Sequence, residues 1–317
     1  MPAATGSNAN SSRYDRSTAA MTKQKVGLIG AGLMGHGIGK NIVTKGYELT
    51  VLAHRNRAPI DDLVAKGAKE ARSPREIAEK SDVVILCVTG SPQVEETLFS
   101  KDGLLEGLRS GMIVADCSTA EPESTLKVAA AIEAKGARFV DTPLVRTPKE
   151  AEEGKLGVMT GGDEKVLAEI RPIIECFADT IIHAGGVGAG HTLKLINNYI
   201  AIGTAAVVAE GIVAGLKAKV DMKALNDIAM AGGARSVMFE RIIKVPLSDD
   251  DTAAKFAIDN ARKDMRYYTT MTQSLPLSSF VAEAVHQTLV LGATHGYGDR
   301  YVPRLVNLLC QLNGVKL

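Results

Sequence analysis

The sequence lacks several features that would assign a function at sight. Neither sign of charge is in excess, with 37 Lys plus Arg against 36 Asp plus Glu in 317 residues and a formal net charge of +1. Such a balance provides no overall field to draw nucleic acid or an anionic membrane, so small molecules and other protein subunits are the expected partners. There is no CxxC pair. The four cysteines, Cys87, Cys117, Cys176 and Cys310, are widely spaced, and three lie in apolar runs where a thiol behaves as a small hydrophobe. The histidines form no HxxxH or HExxH pair, so no metal site is expected. Together these absences imply a reducing, cytoplasmic setting. Apolar stretches are broken by Lys, Glu or Asn before the roughly 18–20 residues of a membrane span, and no bilayer crossing is expected. Residues 1–22 are rich in Ser, Ala, Asn and Thr, have no apolar core run, and are expected to be disordered. They read as an extended start before Met21, or as a transit peptide on the strength of Arg13, Arg16 and few acids.

What is present is an ordinary soluble composition, 45% hydrophobic and 23% charged, in a chain long enough for about two domains. From Lys25 onward, short β-rich runs alternate with helical stretches. The runs are residues 26–29, 49–52, 82–87, 112–115, 138–140, 156–160 and 180–183, with helices predicted over 34–45, 57–66, 122–135 and 164–175. Strands separated by helices imply βαβ crossovers and a doubly wound α/β sheet of the Rossmann type. After the glycine cluster at 185–190 the pattern changes. Leu193, Ile196, Ile200, Val207, Val208, Ile212 and Leu216 recur at helical spacing, and the segments 222–231, 235–244, 255–273, 279–292 and 299–313 also read as helices. The expected division is a tail over 1–22, a dinucleotide-binding domain over 23–187, and an all-α substrate and dimerisation domain over 188–317.

The turn Gly30-Ala31-Gly32-Leu33-Met34-Gly35 is a GxGxxG at the end of a strand and the start of a helix. Gly30 permits the tight turn, Gly32 lets a pyrophosphate approach the backbone, and Gly35 lets the helix pack on the sheet, with its amides and dipole facing the anion. Leu33 and Met34 join these glycines as expected cofactor-binding residues. The second strand ends in Ala53-His54-Arg55-Asn56-Arg57, with no carboxylate to accept from a ribose 2′-hydroxyl and repel a 2′-phosphate. His54 and Arg55 are therefore expected at the cofactor, NADP(H) in preference to NAD(H).

Lys194 and Asn198 stand four residues apart at the start of the long helix, hence on one face. Reduction of an aldehyde develops negative charge on oxygen, and a cation beside it lowers the barrier and can supply the proton. Lys194 has the chemistry for that role, although a lone lysine near a helix start is usually a solvated charge.

Five segments occur in order: Gly30 to Ile42, Asp116-Cys117-Ser118-Thr119, Asp141-Thr142-Pro143-Leu144, Gly190 to Asn198, and Phe256 to Asp264. In this order and spacing the chain resembles the β-hydroxyacid dehydrogenases, the group containing 3-hydroxyisobutyrate dehydrogenase, tartronate semialdehyde reductase and the glyoxylate/succinic semialdehyde reductases. The resemblance covers about residues 24–315. It implies a Rossmann domain joined by a long helix to an all-α domain, an active site in the cleft, and a homodimer or a dimer of dimers. It also implies Lys194 as general acid/base with Asn198 beside it, Val88, Thr119 and Lys263 as cofactor contacts, Phe256 as a wall over the nicotinamide, and Ser118 at the substrate.

One departure bears on the substrate. Where the family commonly has a serine and two glycines that cradle a carboxylate, this chain has Val145, Arg146 and Thr147. The Arg-Thr pair is similar to that of the sulfolactaldehyde reductases of the same family and implies side-chain recognition of a small anion, carboxylate or sulfonate, by Arg146 and Thr147. The alternative is an ion pair that holds the loop. An imine reductase would carry Asp, Tyr or Asn in place of Lys194, and a non-catalytic dehydrogenase-like binding module would lack the lysine or gain basic segments.

Overall fold

The computed structural model describes residues 23–52 and 56–317. Its first half is built on a sheet of nine strands: β1 (Val26–Ile29), β2 (Leu49–Leu52), β3 (Lys69–Ala71), β4 (Val83–Leu86), β5 (Ile113–Asp116), β6 (Arg138–Asp141), β7 (Leu144–Val145), β8 (Leu156–Gly161) and β9 (Ala178–Gly185). The order is β3-β2-β1-β4-β5-β6-β8-β7, with β9 also paired to β8. From β3 to β6 every pairing is parallel; β8 then runs antiparallel to β6 and β7 and parallel to β9. This is the doubly wound arrangement, extended at one edge. Strands β1, β4 and β5 are buried along their whole length. Helices cover both faces, which is why these strands read as continuous apolar runs without alternation.

The helices of this half are α1 (Gly35–Thr44), α2 (Ala58–Ala65), α3 (Pro74–Lys80), α4 (Ser91–Phe99), α5 (Leu104–Gly107), α6 (Pro122–Glu133), α7 (Pro148–Glu153) and α8 (Glu164–Ile174). Their packing gives two cores, one on each face of the sheet. One gathers Leu28, Ile38, Ile42 and Val51, the other Ile29, Ile77, Val84 and Leu98. Each such fully buried aliphatic side chain contributes about 1.5–3 kcal/mol. The sequence pattern misses β3, whose Lys-Glu-Ala carries almost no apolar signal at the sheet edge, and the short helices α3, α4, α5 and α7.

The second half is helical among the described residues, apart from an isolated bridge between Ala257 and Tyr301. It comprises α9 (Ala189–Lys217), α10 (Met222–Ala231), α11 (Val237–Ile242), α12 (Lys244–Ser248), α13 (Ile258–Ser274), α14 (Phe280–Thr294) and α15 (Leu305–Leu312). The expected helix over 235–244 is divided into α11 and α12, and α13 and α15 begin later than the pattern suggested. Short 3₁₀ turns at Thr252–Ala254 and Val302–Arg304 occupy the preceding residues.

Helix α9 is long and apolar enough to cross a membrane by length and composition, although Lys194, Asn197, Asn198 and Glu210 interrupt its apolar residues. Here it serves as the core element of the helical half. Its Ile202, Ala205, Ala209, Ile212 and Val213 are buried in a cluster with residues of α11, α13, α14 and α15. Its N-terminal turns lie against β8, β9 and α6 of the sheet half. The residues at that end are therefore held by both halves.

Candidate active site

The glycine turn has the shape a pyrophosphate needs. Gly30 has φ +99°, and a Cβ there would lie 2.2 Å from the Cys87 carbonyl oxygen; a Cβ on Gly35 would lie 1.8 Å from the Gly30 carbonyl oxygen. These two glycines are required by the protein's own packing. Gly32 differs, because nothing lies within 4 Å of where its Cβ would be. It faces open space at the N-terminus of α1, which has neither a side-chain cap nor an acidic residue in its first turn. Leu33 beside it is 79% exposed, whereas Met34 packs against the core. Free amides, the positive end of the helix dipole and an uncovered glycine fit the diphosphate of a dinucleotide. His54 and Arg55 lie outside the described residues. Nearby Arg57 is engaged with Glu70 at 2.5 and 2.9 Å and with Asp61 at 2.9 Å.

The loop after β4 is the second wall. The Val88 amide donates to Ser118 Oγ at 3.0 Å, and Lys263 on α13 donates to the Thr89 carbonyl oxygen at 2.6 Å. The Tyr267 hydroxyl, also from α13, accepts from the Ser91 amide at 3.2 Å. The helical half is thus anchored to the strand-end loop. Val88 and Lys263 meet there, joined by Ser118 from the loop after β5, and Thr119 follows Ser118 half-buried. Ser118 itself is 2% exposed and its hydroxyl accepts from the Val88 amide, which ties two loops together. Phe256 is half-buried against the helical core.

Lys194 lies half-buried on the second turn of α9, with no hydrogen bond or ion pair among the described residues. Burial lowers its pKa from the ordinary lysine value; the Asp264 carboxylate opposes that effect and the Lys263 ammonium adds to it. Asn198, one turn further, donates to Asp264 Oδ2 at 2.6 Å. Lys263 Nζ stands 2.9 Å from Asp264 Oδ1. That is a charge contact without hydrogen-bond directionality, and Oδ1 has no hydrogen-bond donor. Lys194, Asn198, Lys263 and Asp264 therefore form one cluster between α9 and α13. Asp264 closes the last of the five ordered segments, yet sequence alone assigns it no role. Its signal is its place beside Lys263 on the helix that faces Lys194.

Arg146 and Thr147 do not join this cluster. The Arg146 guanidinium binds the Lys155 carbonyl oxygen, both carboxylate oxygens of Asp179 at 2.7 and 2.8 Å, and Thr180 Oγ1 at 3.1 Å. The Thr147 hydroxyl donates to Glu150, whose carboxylate also accepts from the Thr147 amide at 3.0 Å. The expectation that these side chains hold the substrate anion is corrected in favour of the alternative: they hold the loop. The physical reason is that carboxylates on β9 and α7 already satisfy them. Arg146 nevertheless has φ +82°, the left-handed backbone usual for glycine. Among the described residues, no group of three or more His, Cys, Asp or Glu is placed to hold a metal ion.

A doubly wound sheet with an open GxGxxG turn, followed by a lysine-bearing helix, defines an NAD(P)-dependent oxidoreductase. Comparison with known proteins narrows the class. Residues 25–186 match the family described as the NAD binding domain of 6-phosphogluconate dehydrogenase, and residues 188–309 match the NAD-binding domain of NADP-dependent 3-hydroxyisobutyrate dehydrogenase. Glyoxylate/succinic semialdehyde reductase 1 of Arabidopsis thaliana is 30% identical, with 87% of this chain and 94% of the relative covered. The 3-sulfolactaldehyde reductase of Escherichia coli (strain K12) is 32% identical, with coverages of 84% and 86%. The structure of Psf3 in complex with NADP+ and 2-OPP matches with a TM-score of 0.79 at 26% identity, covering 90% of this chain and 99% of that one. The chain belongs to the β-hydroxyacid dehydrogenase family.

Proposed function

We propose that this enzyme interconverts a short aldehyde bearing a carboxylate or sulfonate with the corresponding hydroxy acid, using NADP(H) in preference to NAD(H) and Lys194 as the proton donor and acceptor. The observation that carries this reading is the Lys194 ammonium, half-buried, free of protein partners among the described residues and made less basic by burial beside Asp264 and Lys263. An ammonium with a lowered pKa gives up its proton more readily at neutral pH than a solvated lysine does. When bound, the dinucleotide supplies the hydride equivalent. Lys194 would donate its Nζ proton to the aldehyde oxygen as the carbonyl carbon gains hydride, leaving a neutral amine that regains its proton from solvent. Asn198 and Asp264 would orient that end of the cleft, and the positive charge of Lys263 would favour the developing alkoxide.

The relatives act, by name, on glyoxylate, succinic semialdehyde and 3-sulfolactaldehyde, which supports a small anionic substrate. NADP(H) is supported by the absence of a carboxylate after β2 and by the NADP+-bound neighbour. Exposed apolar residues on α9, Ile200 and Val207, support assembly into a homodimer or a dimer of dimers. The decisive experiment is a panel of NADPH and NADH oxidation rates with sulfolactaldehyde, succinic semialdehyde, methylmalonate semialdehyde, tartronate semialdehyde and glyoxylate, for the wild type and Lys194→Ala. The expected result is turnover of at least one of these with NADPH and its collapse in the variant, while NADPH still binds. Retained turnover in Lys194→Ala would refute the proton role, and a tenfold NADH preference would refute the cofactor assignment.

A further inference from the structure

Two buried titratable residues at the root of α9 have no part in the chemistry above. Gly188, the N-cap of α9, has no side chain to cap the helix. The cap comes from a different strand. Asp141, at the end of β6 and fully buried, accepts from the Gly188 amide through Oδ1 at 2.7 Å and from the His191 amide through Oδ2 at 2.8 Å. One carboxylate thus holds two otherwise orphaned N–H groups at the positive end of a 29-residue helix.

His191 completes the joint. Its side chain is fully buried. Nε2 lies 3.1 Å from the Ser118 carbonyl oxygen, an acceptor only, so Nε2 carries a proton. Nδ1 lies 2.7 Å from Thr125 Oγ1 on α6, and Asp116 Oδ2 is 3.9 Å from Nε2. One imidazole therefore ties α9 to α6 and to the loop whose Ser118 hydroxyl receives the Val88 amide. His191 and Lys194 are three residues apart, neighbours on one helical face about 4.5 Å along the axis.

We infer that Asp141 and His191 are positioning residues that register the catalytic helix against the nucleotide-binding loops, and so set where the Lys194 ammonium stands for proton transfer. The inference rests on the reading of Lys194 as the proton donor. The alternative is that both residues merely stabilise the domain junction. A displacement of about 1 Å at a reacting group can cost on the order of 100-fold in rate, whereas a stabilising role lowers only the amount of folded enzyme.

The test uses the full chain saturated with NADPH, as wild type, His191→Phe, His191→Gln and Asp141→Asn. Acetylation of Lys194 by acetic anhydride is followed by peptide mass spectrometry as a function of pH. Turnover of succinic semialdehyde is measured in parallel with NADPH and with NADPH deuterated at the transferred position. His191→Phe keeps an aromatic ring at this position and removes both hydrogen bonds. It is expected to shift the Lys194 labelling profile away from that of the wild type, to lower kcat by about 10- to 100-fold with KM and NADPH affinity little changed, and to raise the deuterium isotope effect. His191→Gln, which can still donate to Ser118, is expected to restore part of the rate. Asp141→Asn, which turns an amide N–H toward a backbone N–H, is expected to behave like His191→Phe and serves if that variant does not fold. A wild-type labelling profile and isotope effect in the folded variants would overturn the inference. Lys194→Met with full turnover would instead overturn the proton role of Lys194, and the labelling profile reports on position independently of that result.

Discussion

The substitution Gly32→Ala separates cofactor binding from folding. In the free protein the added methyl meets nothing within 4 Å, and the residue is outside the positive-φ set. Folding stability should therefore hold, or rise by about 0.4–1 kcal/mol because alanine restricts the unfolded chain. Binding should not survive intact. A methyl group where the diphosphate approaches removes at least one charge-assisted backbone hydrogen bond, worth about 1.5–3 kcal/mol, which weakens NADPH about 10- to 150-fold. In NADPH at 100 times the wild-type Kd, ligand stabilisation is about 2.7 kcal/mol for the wild type. It falls to about 1.4 kcal/mol after a tenfold loss of affinity and to about 0.4 kcal/mol after a hundredfold loss. Differential scanning fluorimetry with and without NADPH, with titration calorimetry for Kd, reads both quantities. Gly30→Ala is the contrasting control, since its methyl would collide with the Cys87 carbonyl oxygen at 2.2 Å in a left-handed backbone, and the free protein itself should lose about 2–5 kcal/mol. If Gly32→Ala binds NADPH as the wild type does, no diphosphate lies over this turn and the assignment of the cofactor site is refuted.

Three other outcomes are expected. In Asp264→Asn, the loss of a negative charge that raises the Lys194 pKa moves that pKa down, so the alkaline limb of kcat/KM for aldehyde reduction shifts to lower pH; a stationary limb would remove Asp264 from the cluster. Arg146→Gly should leave KM for the aldehyde unchanged, because the guanidinium is held by Asp179, whereas deleting a side chain that binds the substrate anion would raise KM about tenfold or more. His36 lies between Glu152 at 2.6 Å and Asp62 at 2.8 Å; burial opposes its charge, but hydrogen bonds to Glu152 and Asp62 outweigh it and raise its pKa above 6.5. A raised histidine pKa stabilises fully below 6.5 and ceases to do so as pH climbs through the folded value. The Tm difference between wild type and His36→Gln should accordingly be largest below pH 6.5 and shrink above it, and a difference that grows with pH would contradict the assignment.

The readable part of the site is local. The glycine turn, the first two strands and α1 lie within a few residues of one another, and each is dictated by backbone freedom or apolar periodicity that a short window displays. Lys194 and Asn198 were legible for the same reason, since helical spacing alone puts them on one face. Val88 and Lys263, expected at the cofactor by resemblance, are brought together at the loop after β4 by the docking of α13. Edge strand β3 and the short helices carried too few apolar residues for their periods to be recognised.

Sequence by itself determined the α/β half followed by helices, the phosphate turn and the lysine helix, because these depend on periodicity and on glycine at set positions. Only the tertiary structure decided which partner each polar side chain takes. Arg146 finds Asp179 33 residues away, Asp141 caps α9 across 47 residues, and Asn198 reaches Asp264 across 66. A guanidinium or carboxylate has no preference along the chain that would reveal such a partner. Its choice is made by the sheet order and by helix packing, and here that choice turned Arg146 from a substrate anchor into a loop tie and made Asp141 the cap of the helix that carries Lys194.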